Sequence, residues 1–478
     1  MTHILVTGAT GFIGSHLVRH LLALKEKEGW QEEILCLVRS TSDLSALKGL
    51  QVKLVIGDLR NPDSLIPAVY GAMYIYHLAA ELYTVSREQF LAANVIGTEN
   101  LLKAAEIYAK SSLKRFLLVS SLAAAGPAPG LEPITEEQEF GPPVSWYAES
   151  KQKVEKIARQ YSSGLPITIV RPSGVYGPRD PGFSAAFKAA RLRIQATIGF
   201  KTGYTGMVYA PDLVEGMVVA ARDNYTAGKT YFLSNPVNYT IKEVGKTIGK
   251  AVGKPFGISI PIPIFIMQLA AIFAELMYLF TRQKPQPTRD KVRDLAQRFW
   301  LCSAKKAEKD FGWVAKTSFL EGAKLTNQYM LEEDKRMAEM SGDSTGTLTL
   351  KYILVGLWLG IVIELLAAFG KIYQFKPWVL MIGTILVLWG LVFGTIAKKM
   401  RRLSFVWQFL PGFFILFAAE LVNHYYLHNW IFYPRAFFGL AELTPLARAI
   451  WLGLATGFII PGINRIMKQL YRYQLRVG

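Results

Sequence analysis

The N-terminal glycine loop constrains the fold of this 478-residue chain more than any other feature. An apolar run from His3 to Thr7 is typical of a short strand, and leucine and valine recur at helical spacing after the loop. Glycines between a strand and a helix permit a tight turn and let a pyrophosphate approach the helix N-terminus. The pattern therefore predicts a dinucleotide site. Its expected residues are Gly8, Thr10, Gly11, Phe12, Ile13 and Gly14.

Apolar runs of strand type and helix type alternate after this loop. The predicted strands are Ile34 to Val38, Val52 to Ile56, Ala72 to Ala80, Arg115 to Ser121 and Ile167 to Val170. Such alternation is typical of an α/β fold with a doubly wound parallel sheet, in which ligands bind beyond the carboxyl ends of the strands. Those ends carry Asp58, the run from His77 to Ala80, and the pair Ser120-Ser121. We expect one functional edge of the sheet.

Tyr147 and Lys151 form the second informative pattern. They are four residues apart in a predicted helix, so they share one face. A free tyrosine has a pKa of about 10, and a neighbouring cation favours the phenolate. The spacing therefore predicts a proton-transfer pair in which Lys151 lowers the pKa of Tyr147.

Together these runs resemble the extended short-chain dehydrogenase/reductase family, which is related to NAD-dependent epimerases and dehydratases. Within it, the chain is most similar to the 3β-hydroxysteroid dehydrogenase and dihydroflavonol reductase branch, over roughly residues 1–330. The resemblance implies a Rossmann-type sheet with a small substrate-binding subdomain. The matching runs are the glycine loop, Gly57-Asp58-Leu59, His77-Leu78-Ala79-Ala80, Asn94 to Thr98, Ser120-Ser121, Tyr147 with Lys151, and Arg171 to Pro178.

The resemblance also implies roles for individual residues. Tyr147 would be the general acid/base, Lys151 its pKa modulator and ribose contact, and Ser121 the hydrogen-bond donor to the substrate oxygen, with Ser120 as the second candidate for that donor. The implied cofactor contacts beyond the glycine loop are Asp58 and Leu59 beside the adenine, Ala79 and Ala80 on the pyrophosphate side, Pro172 and Ser173 beside the nicotinamide, and also Asn94, Tyr147 and Lys151.

The end of the second predicted strand bears on the choice of cofactor. An acidic residue there would bind the ribose 2′-hydroxyl of NAD, whereas an arginine accommodates the 2′-phosphate of NADP. The strand continues into Arg39-Ser40 and carries no carboxylate from Ile34 onward. We therefore expect NADP(H) to be preferred over NAD(H), with Arg39 as the phosphate contact.

The C-terminal quarter of the chain is apolar, and 51% of all residues are hydrophobic. Four runs, 352–370, 378–397, 405–427 and 446–467, each approach the ~20 residues needed to cross a bilayer. We predict a dehydrogenase domain over 1–335, with a cofactor part to about residue 170 and an interleaved substrate part over about 171–335. A linker over 336–350 and an all-α, four-helix membrane domain over 351–478 would follow.

Basic residues predict the orientation of these helices. Lys398, Lys399, Arg401 and Arg402 lie between the second and third runs, and further cations follow the fourth. The positive-inside rule places both clusters, and with them the catalytic domain and the C-terminus, in the cytoplasm. We interpret the net charge of +18 as serving attraction to anionic lipid headgroups, and not binding to nucleic acid. Two cysteines give neither a disulfide framework nor a metal set.

The apolar run from Ile258 to Phe280 falls inside the dehydrogenase part. We expect a helix over the substrate cavity or in the membrane surface; the alternative is a fifth crossing. Tyr209, Asp212 and Arg191 are candidates for substrate-side or cofactor-side residues, although a structural role fits each equally well.

Polar residues inside the predicted membrane region suggest two further interpretations. They are Glu364, Glu420, Asn423, His424 and His428. Ionisable groups at that depth are functional candidates, but they also stabilise helix bundles or lie at the interface. No ligand set is complete, so we expect no metal.

The sequence thus predicts a membrane-anchored oxidoreductase that interconverts a hydroxyl group and a ketone on a hydrophobic lipid, such as a sterol, hopanoid, other terpenoid or keto-lipid. The first alternative is an epimerase or dehydratase that acts on a sugar nucleotide or a lipid-linked sugar. The second is a non-catalytic NADP(H)-binding subunit of a membrane complex. Family analogy also implies a homodimer, paired through the helices that begin near Gln89 and Tyr147.

Overall fold

The computed structural model describes residues 2–281, 285 and 287–340. The four predicted membrane helices, the linker beyond residue 340 and the polar residues at 364, 420, 423, 424 and 428 lie outside the described residues. The strands are β1 His3–Thr7, β2 Glu33–Val38, β3 Lys53–Ile56, β4 Ala72–His77, β5 Arg115–Val119, β6 Ile167–Pro172, β7 Gly174–Tyr176, β8 Ile194–Ile198, β9 Tyr204–Tyr209, β10 Thr230–Leu233, β11 Asn238–Thr240, β12 Ile258–Ile262 and β13 Phe299–Trp300.

Helices connect these strands. They are α1 Phe12–Glu28, α2 Ile66–Val69, α3 Arg87–Phe90, α4 Gly97–Tyr108, α5 Leu122–Ala125, α6 Trp146–Tyr161, α7 Ser184–Arg191, α8 Ala210–Arg222, α9 Ile241–Ala251, α10 Ile264–Thr281, α11 Arg289–Leu295, α12 Lys305–Phe311 and α13 Phe319–Met340. A π-helical segment, Leu91–Ile96, joins α3 to α4. Helix α13 extends through residues 336–340, which the sequence assigns to the start of the linker.

A seven-stranded sheet in the order β3-β2-β1-β4-β5-β6-β10 forms the centre of the fold. Every neighbouring pair is parallel. The inner strands are buried on both faces, as a parallel sheet covered by helices requires, and each face has its own apolar core. The predicted α/β, doubly wound, Rossmann-type sheet is confirmed.

The strand ends refine the predicted edge. Strand β4 ends at His77 and β5 at Val119, several residues earlier than the apolar runs suggest. Residues 78–80 and 120–121 are therefore loops at the carboxyl edge of the sheet, where ligands of this fold class bind.

The substrate part forms a separate layer of short strands. β11, β9 and β13 make a small sheet to which β7 adds by pairing with β9, and β8 pairs in parallel with β12. These strands pack with α7, α9 and α13 around a core that includes Tyr176, Phe187 and Phe319. Except for β10, which joins the large sheet, all the strands after β6 belong to this substrate part.

The apolar run from Ile258 to Phe280 is not one helix. Its first residues form β12, and α10 begins only after Pro263. Proline lacks an N–H donor and is tolerated at a helix start but not in a helix interior, which explains the break. Among the described residues, no helix combines the length and the apolar character required to span a bilayer.

A buried ion pair ties α6 to the sheet. The Glu155 carboxylate accepts hydrogen bonds from Arg171 Nε at 2.9 Å and Arg171 Nη2 at 2.7 Å, and both side chains are almost completely buried. Ser120 donates to the same carboxylate at 2.5 Å. Because α6, β6 and the end of β5 contribute one partner each, the position of α6 relative to the edge is fixed.

Candidate active site

The glycine loop has the close packing that its sequence predicts. Gly8 has φ +73°, a conformation that side chains disfavour, and a Cβ there would lie 2.7 Å from the backbone nitrogen of Ala79. A Cβ on Gly14 would collide with the carbonyl oxygen of Gly8. The loop, the start of α1 and the loop after β4 therefore meet without intervening side chains.

The start of α1 is open to an anion. Gly11 is its N-cap residue, and no side chain caps the first turn. The first N–H groups of a helix have no partner within that helix, and the helix dipole favours negative charge at this end. The N–H groups of Phe12, Ile13 and Gly14 thus suit a pyrophosphate.

A buried hydrogen-bond chain organises the neighbouring loops. His77 Nδ1 lies 2.7 Å from Thr7 Oγ1, and His77 Nε2 lies 2.8 Å from Thr98 Oγ1. Burial, followed by the charge of Lys151, lowers the pKa of His77 to about 3. A neutral histidine therefore connects β1, β4 and α4 beneath the glycine loop.

Asn94 bridges this region to α6, the helix that carries Tyr147 and Lys151. Its side-chain amide donates to the Glu81 carbonyl at 3.1 Å and to Ser150 Oγ at 2.9 Å, while its oxygen accepts from the Glu81 N–H at 2.7 Å. Both amide protons are thus used within the protein. The structure places Asn94 in a positioning contact between the loop after Ala80 and α6.

Tyr147 and Ser121 are brought together across the edge. Burial is the largest influence on the Tyr147 phenol and raises its pKa above the usual value, while the neighbouring Ser121 hydroxyl lowers that pKa. Ser121 is also the N-cap of α5, where its Oγ accepts from the Ala123 N–H at 3.1 Å. The two hydroxyls thus lie beside each other at the carboxyl edge of the sheet.

Burial affects the pKa of Lys151 as well as that of Tyr147. Lys151 Nζ donates to the Val119 carbonyl at 2.9 Å, and burial lowers the pKa of Lys151 to about 8. Burial raises the pKa of Tyr147, and the lowering of that pKa by Lys151 stays a prediction. A protonated phenol is a proton donor, which suits reduction of a carbonyl group.

Ser120 and Ser121, adjacent in sequence, have different surroundings. The Ser120 hydroxyl donates a hydrogen bond to Glu155 within the buried ion pair, whereas the Ser121 hydroxyl lies beside the Tyr147 phenol. Of the two candidates for the substrate hydrogen bond, the geometry favours Ser121.

Two arginines and one aspartate lie at the far end of the edge. Asp58 is paired with Arg60 at 2.7 Å, which is the main reason why the pKa of Asp58 falls to about 2; Arg39 makes a smaller electrostatic contribution. Arg39 itself is exposed, and among the described residues its side chain has no ion pair or hydrogen bond. Arg39 is therefore available to an anionic ligand.

The remaining predicted cofactor contacts also lie on this edge. Leu59 packs against Gly97, and Ala79 donates its N–H to Thr7 Oγ1 at 3.2 Å next to Ala80. Pro172 ends β6, and the hydroxyl of the following Ser173 is buried without a hydrogen-bond partner among the described residues. Unsatisfied buried hydroxyls are rare, so this one is consistent with a ligand contact.

Asp290 is a site residue that the sequence did not reveal. Its carboxylate accepts from the backbone N–H of Trp146 at 2.7 Å and of Tyr147 at 3.3 Å. Asp290 thereby stabilises the first turn of α6 from a helix 143 residues away. The only sequence indication is the start of α11 after the N-cap Thr288, which does not reveal the contact.

Tyr209, Asp212 and Arg191 have structural contacts. Tyr209 packs against Tyr176 in the apolar core, and Asp212 accepts from Thr317 N–H at 2.7 Å and from Thr317 Oγ1 at 2.8 Å. Arg191 pairs with Asp334 and donates to Asn327. All three attach α13 or the segment before it to the substrate part.

Several observations show that this edge fits a dinucleotide: the close-packed glycine loop, the uncapped start of α1 and the unpartnered Ser173 hydroxyl. Within the described part of the chain, no group of histidine, cysteine, aspartate and glutamate side chains forms a metal site.

Comparison with known proteins identifies the family. The model of the NAD dependent epimerase/dehydratase family matches residues 4–233. A putative dihydroflavonol 4-reductase of Synechocystis is 33% identical over 241 residues, which are 48% of this chain and 67% of that protein.

The chain belongs to the NAD-dependent epimerase/dehydratase family of extended short-chain dehydrogenases/reductases. It is also 25% identical to the decarboxylating sterol-4-alpha-carboxylate 3-dehydrogenase of Mus musculus over 351 residues, 69% of this chain and 92% of that protein. The structure of Thermus thermophilus UDP-glucose 4-epimerase in complex with NAD has a TM-score of 0.55 and 26% identity, covering 69% of this chain and 99% of that one. Family and fold together make the protein an NAD(P)-dependent oxidoreductase.

The two serines provide a matched test of the site. Ser121→Ala should lower kcat for ketone reduction by about 10²-fold, because a hydrogen bond to the developing oxyanion is lost. Ser120→Ala should leave kcat near the wild-type value, because that hydroxyl serves Glu155. Steady-state kinetics of both variants decide the assignment. A larger loss of kcat in Ser120→Ala than in Ser121→Ala would contradict it.

Proposed function

We infer that the protein is an NADP(H)-dependent oxidoreductase that interconverts a ketone and a hydroxyl group on a hydrophobic lipid. The proximity of the Tyr147 and Ser121 hydroxyls, with Lys151 buried on the same helix, is the observation that carries this proposal, because a protein that only binds the cofactor has no need of a proton donor. A C-terminal membrane anchor and a cytoplasmic catalytic domain remain part of the proposal, and they rest on the sequence alone.

Each of the three residues has one role in the proposed reaction. The nicotinamide of the cofactor supplies or accepts the hydride. In the direction of reduction, Ser121 donates a hydrogen bond to the carbonyl oxygen, and the protonated Tyr147 gives that oxygen its proton. The buried, positively charged form of Lys151 would stabilise the phenolate that remains. Oxidation reverses these steps.

The preference for NADP(H) is supported by the exposed Arg39 at the end of β2. Asp58, the nearby carboxylate that could bind a ribose hydroxyl, is held by Arg60. An exposed arginine without a partner suits a 2′-phosphate. An aspartate whose charge is paired with Arg60 neither repels that phosphate strongly nor competes with it for Arg39.

Two observations support a lipid substrate. A relative that is similar over 92% of its own length is named as a sterol-4-alpha-carboxylate 3-dehydrogenase. In addition, α10 exposes apolar side chains such as Phe265 and Phe273 next to the catalytic part of the chain. Both favour a fused-ring or terpenoid ketone over a charged, soluble substrate.

An epimerase is the second candidate, and the fold similarity to UDP-glucose 4-epimerase favours it. Such an enzyme would use the same three residues but retain its cofactor through one cycle of oxidation and reduction. Arg39 argues for an exchangeable NADP(H) instead.

Arg39→Asp should shift the cofactor preference toward NADH. Loss of one charge-assisted contact of about 1.5–3 kcal/mol predicts a fall of roughly ten- to a hundredfold in kcat/KM for NADPH relative to NADH. Lys48→Gln removes an exposed charge from the same region and is the control. An unchanged NADPH to NADH ratio in Arg39→Asp would sink the assignment.

The substrate class is tested with NADPH that carries deuterium at C4 of the nicotinamide. Full-length protein in detergent receives either a pool of sterol and terpenoid ketones or a pool of nucleotide sugars, and mass spectrometry follows the label. We expect deuterium on a lipid carbinol carbon. Conversion of a nucleotide sugar without incorporation of deuterium, by protein that copurifies with NAD, would instead identify an epimerase.

A further inference from the structure

An apolar surface is exposed on the substrate part of the protein. Its most accessible side chains are Phe200 (80%), Phe256 (78%), Ile258 (72%), Phe273 (66%), Phe265 (65%) and Leu269 (61%). Soluble monomers rarely leave large contiguous apolar patches in water, and larger ones mark membrane, ligand or protein interaction sites. We call these six residues the apolar face.

Backbone pairing makes the apolar face continuous. Ile258 of β12 pairs with Ile194 of β8, and Gly199, which precedes Phe200, donates to the Ile262 carbonyl at 2.8 Å. On α10, Phe265, Leu269 and Phe273 follow at intervals of four residues and therefore share one side of the helix. Ala271, on another side, is completely buried. Helix α10 thus turns an apolar side toward solvent.

Charges around the apolar face are predominantly positive. Arg193, Lys201 and Lys254 are exposed and border Ile258, Phe200 and Phe256 in sequence or strand pairing. Glu275 is the only acidic residue in segments 192–203 and 252–276, and Arg289 neutralises it with a side-chain contact of 2.6 Å. Apolar side chains bordered by cations are the composition that binds the surface of an anionic bilayer.

A second feature of the sequence points to the same partner. The four apolar runs predicted to cross a membrane begin at residue 352, twelve residues after α13 ends at Met340. If those runs are inserted in a bilayer, the lipid surface is within reach of the catalytic part through a short segment of chain.

Polar contacts connect the apolar face to the catalytic helix. Helix α10 packs against α11, and the Glu275 carboxylate accepts from both the backbone and the side chain of Arg289. The next residue, Asp290, accepts from the N–H groups of Trp146 and Tyr147. Helix α11 therefore links the apolar helix to the first turn of α6.

We propose that the apolar face docks on the surface of an anionic lipid bilayer and that the lipid substrate passes from the bilayer to the catalytic edge beside it. Helix α10 lies in the headgroup region with Phe265, Leu269 and Phe273 toward the acyl chains. The docking is inferred from the exposed apolar and basic side chains. The passage of substrate also depends on the proposed function.

Docking is tested by fluorescence quenching in full-length protein reconstituted into phosphatidylcholine vesicles that contain phosphatidylglycerol. Leu269→Cys on the apolar face is compared with Ile107→Cys on α4, a site of similar exposure at 69%. The native Cys36 and Cys302 are buried, and burial raises the pKa of each thiol to about 12, so an environment-sensitive thiol label reacts at the introduced residue.

We expect nitroxide-labelled lipids to quench the label at Leu269→Cys strongly and at Ile107→Cys hardly at all, with less quenching when phosphatidylglycerol is omitted. Equal quenching at the two sites, or none at Leu269→Cys, would overturn the proposal. A label at Leu269→Cys that is shielded from water yet not quenched by lipid would also overturn it, because a second copy of the chain or its own residues 341–478 would then cover the face.

Passage of substrate has a separate measurement. Phe265→Asp should raise KM for a lipid ketone presented in the same vesicles by about tenfold, since a carboxylate opposes burial in the interface, while NADPH affinity stays at the wild-type value. Ile107→Asp is the control and should change neither. An unchanged KM in Phe265→Asp would reject the route. Absence of turnover in the wild type would reject the proposed function and leave the quenching result intact.

Discussion

The buried pair of Glu155 and Arg171 is the interaction on which the site depends most. Breaking a buried ion pair by removal of one partner typically costs about 3–5 kcal/mol, because the remaining charge stays desolvated. Here the pair also binds Ser120, so one carboxylate joins the catalytic helix, β6 and the end of β5. Lys151 lies about one helical turn before Glu155, and Tyr147 lies about two turns before it, on the same side of α6. Their distance from Ser121 is therefore set by a contact that takes no part in proton transfer.

Burial also shifts the pKa values of the groups at the site. It raises the pKa of Tyr147 and lowers that of Lys151 to about 8, so at neutral pH the phenol carries its proton and the amine is mostly charged. Lys151 is protonated below about pH 8 and loses its charge as the pH rises through that value. This arrangement suits carbonyl reduction. The same burial keeps His77 neutral, and its two hydrogen bonds connect the glycine loop to α4 without adding a charge beneath the cofactor.

Local patterns in the sequence predicted six of the seven strands of the large sheet, but not β10 or the short strands of the substrate part. The glycine loop predicted its own strand–turn–helix context, alternating apolar runs predicted the sheet, and the four-residue spacing of Tyr147 and Lys151 predicted a shared helix face. Long-range contacts were not visible: nothing in the sequence indicates that Asp290 binds the first turn of α6, or that Ser120 and Ser121 have different partners. The effect of burial on the Tyr147 pKa was not visible either, because it depends on how the chain packs around the phenol. The single helix expected from Ile258 to Phe280 was wrong, because Pro263 separates β12 from α10.

We propose that Tyr147 transfers the proton in a site that binds the cofactor independently of that residue. The most direct measurement combines NADPH binding with single-turnover transfer of deuterium to a lipid ketone in wild type, Tyr147→Phe and, as a control at the other end of α6, Tyr161→Phe. We predict that all three bind NADPH alike and that only Tyr147→Phe loses transfer, by at least about 10²-fold. Transfer at the wild-type rate in Tyr147→Phe would contradict this account.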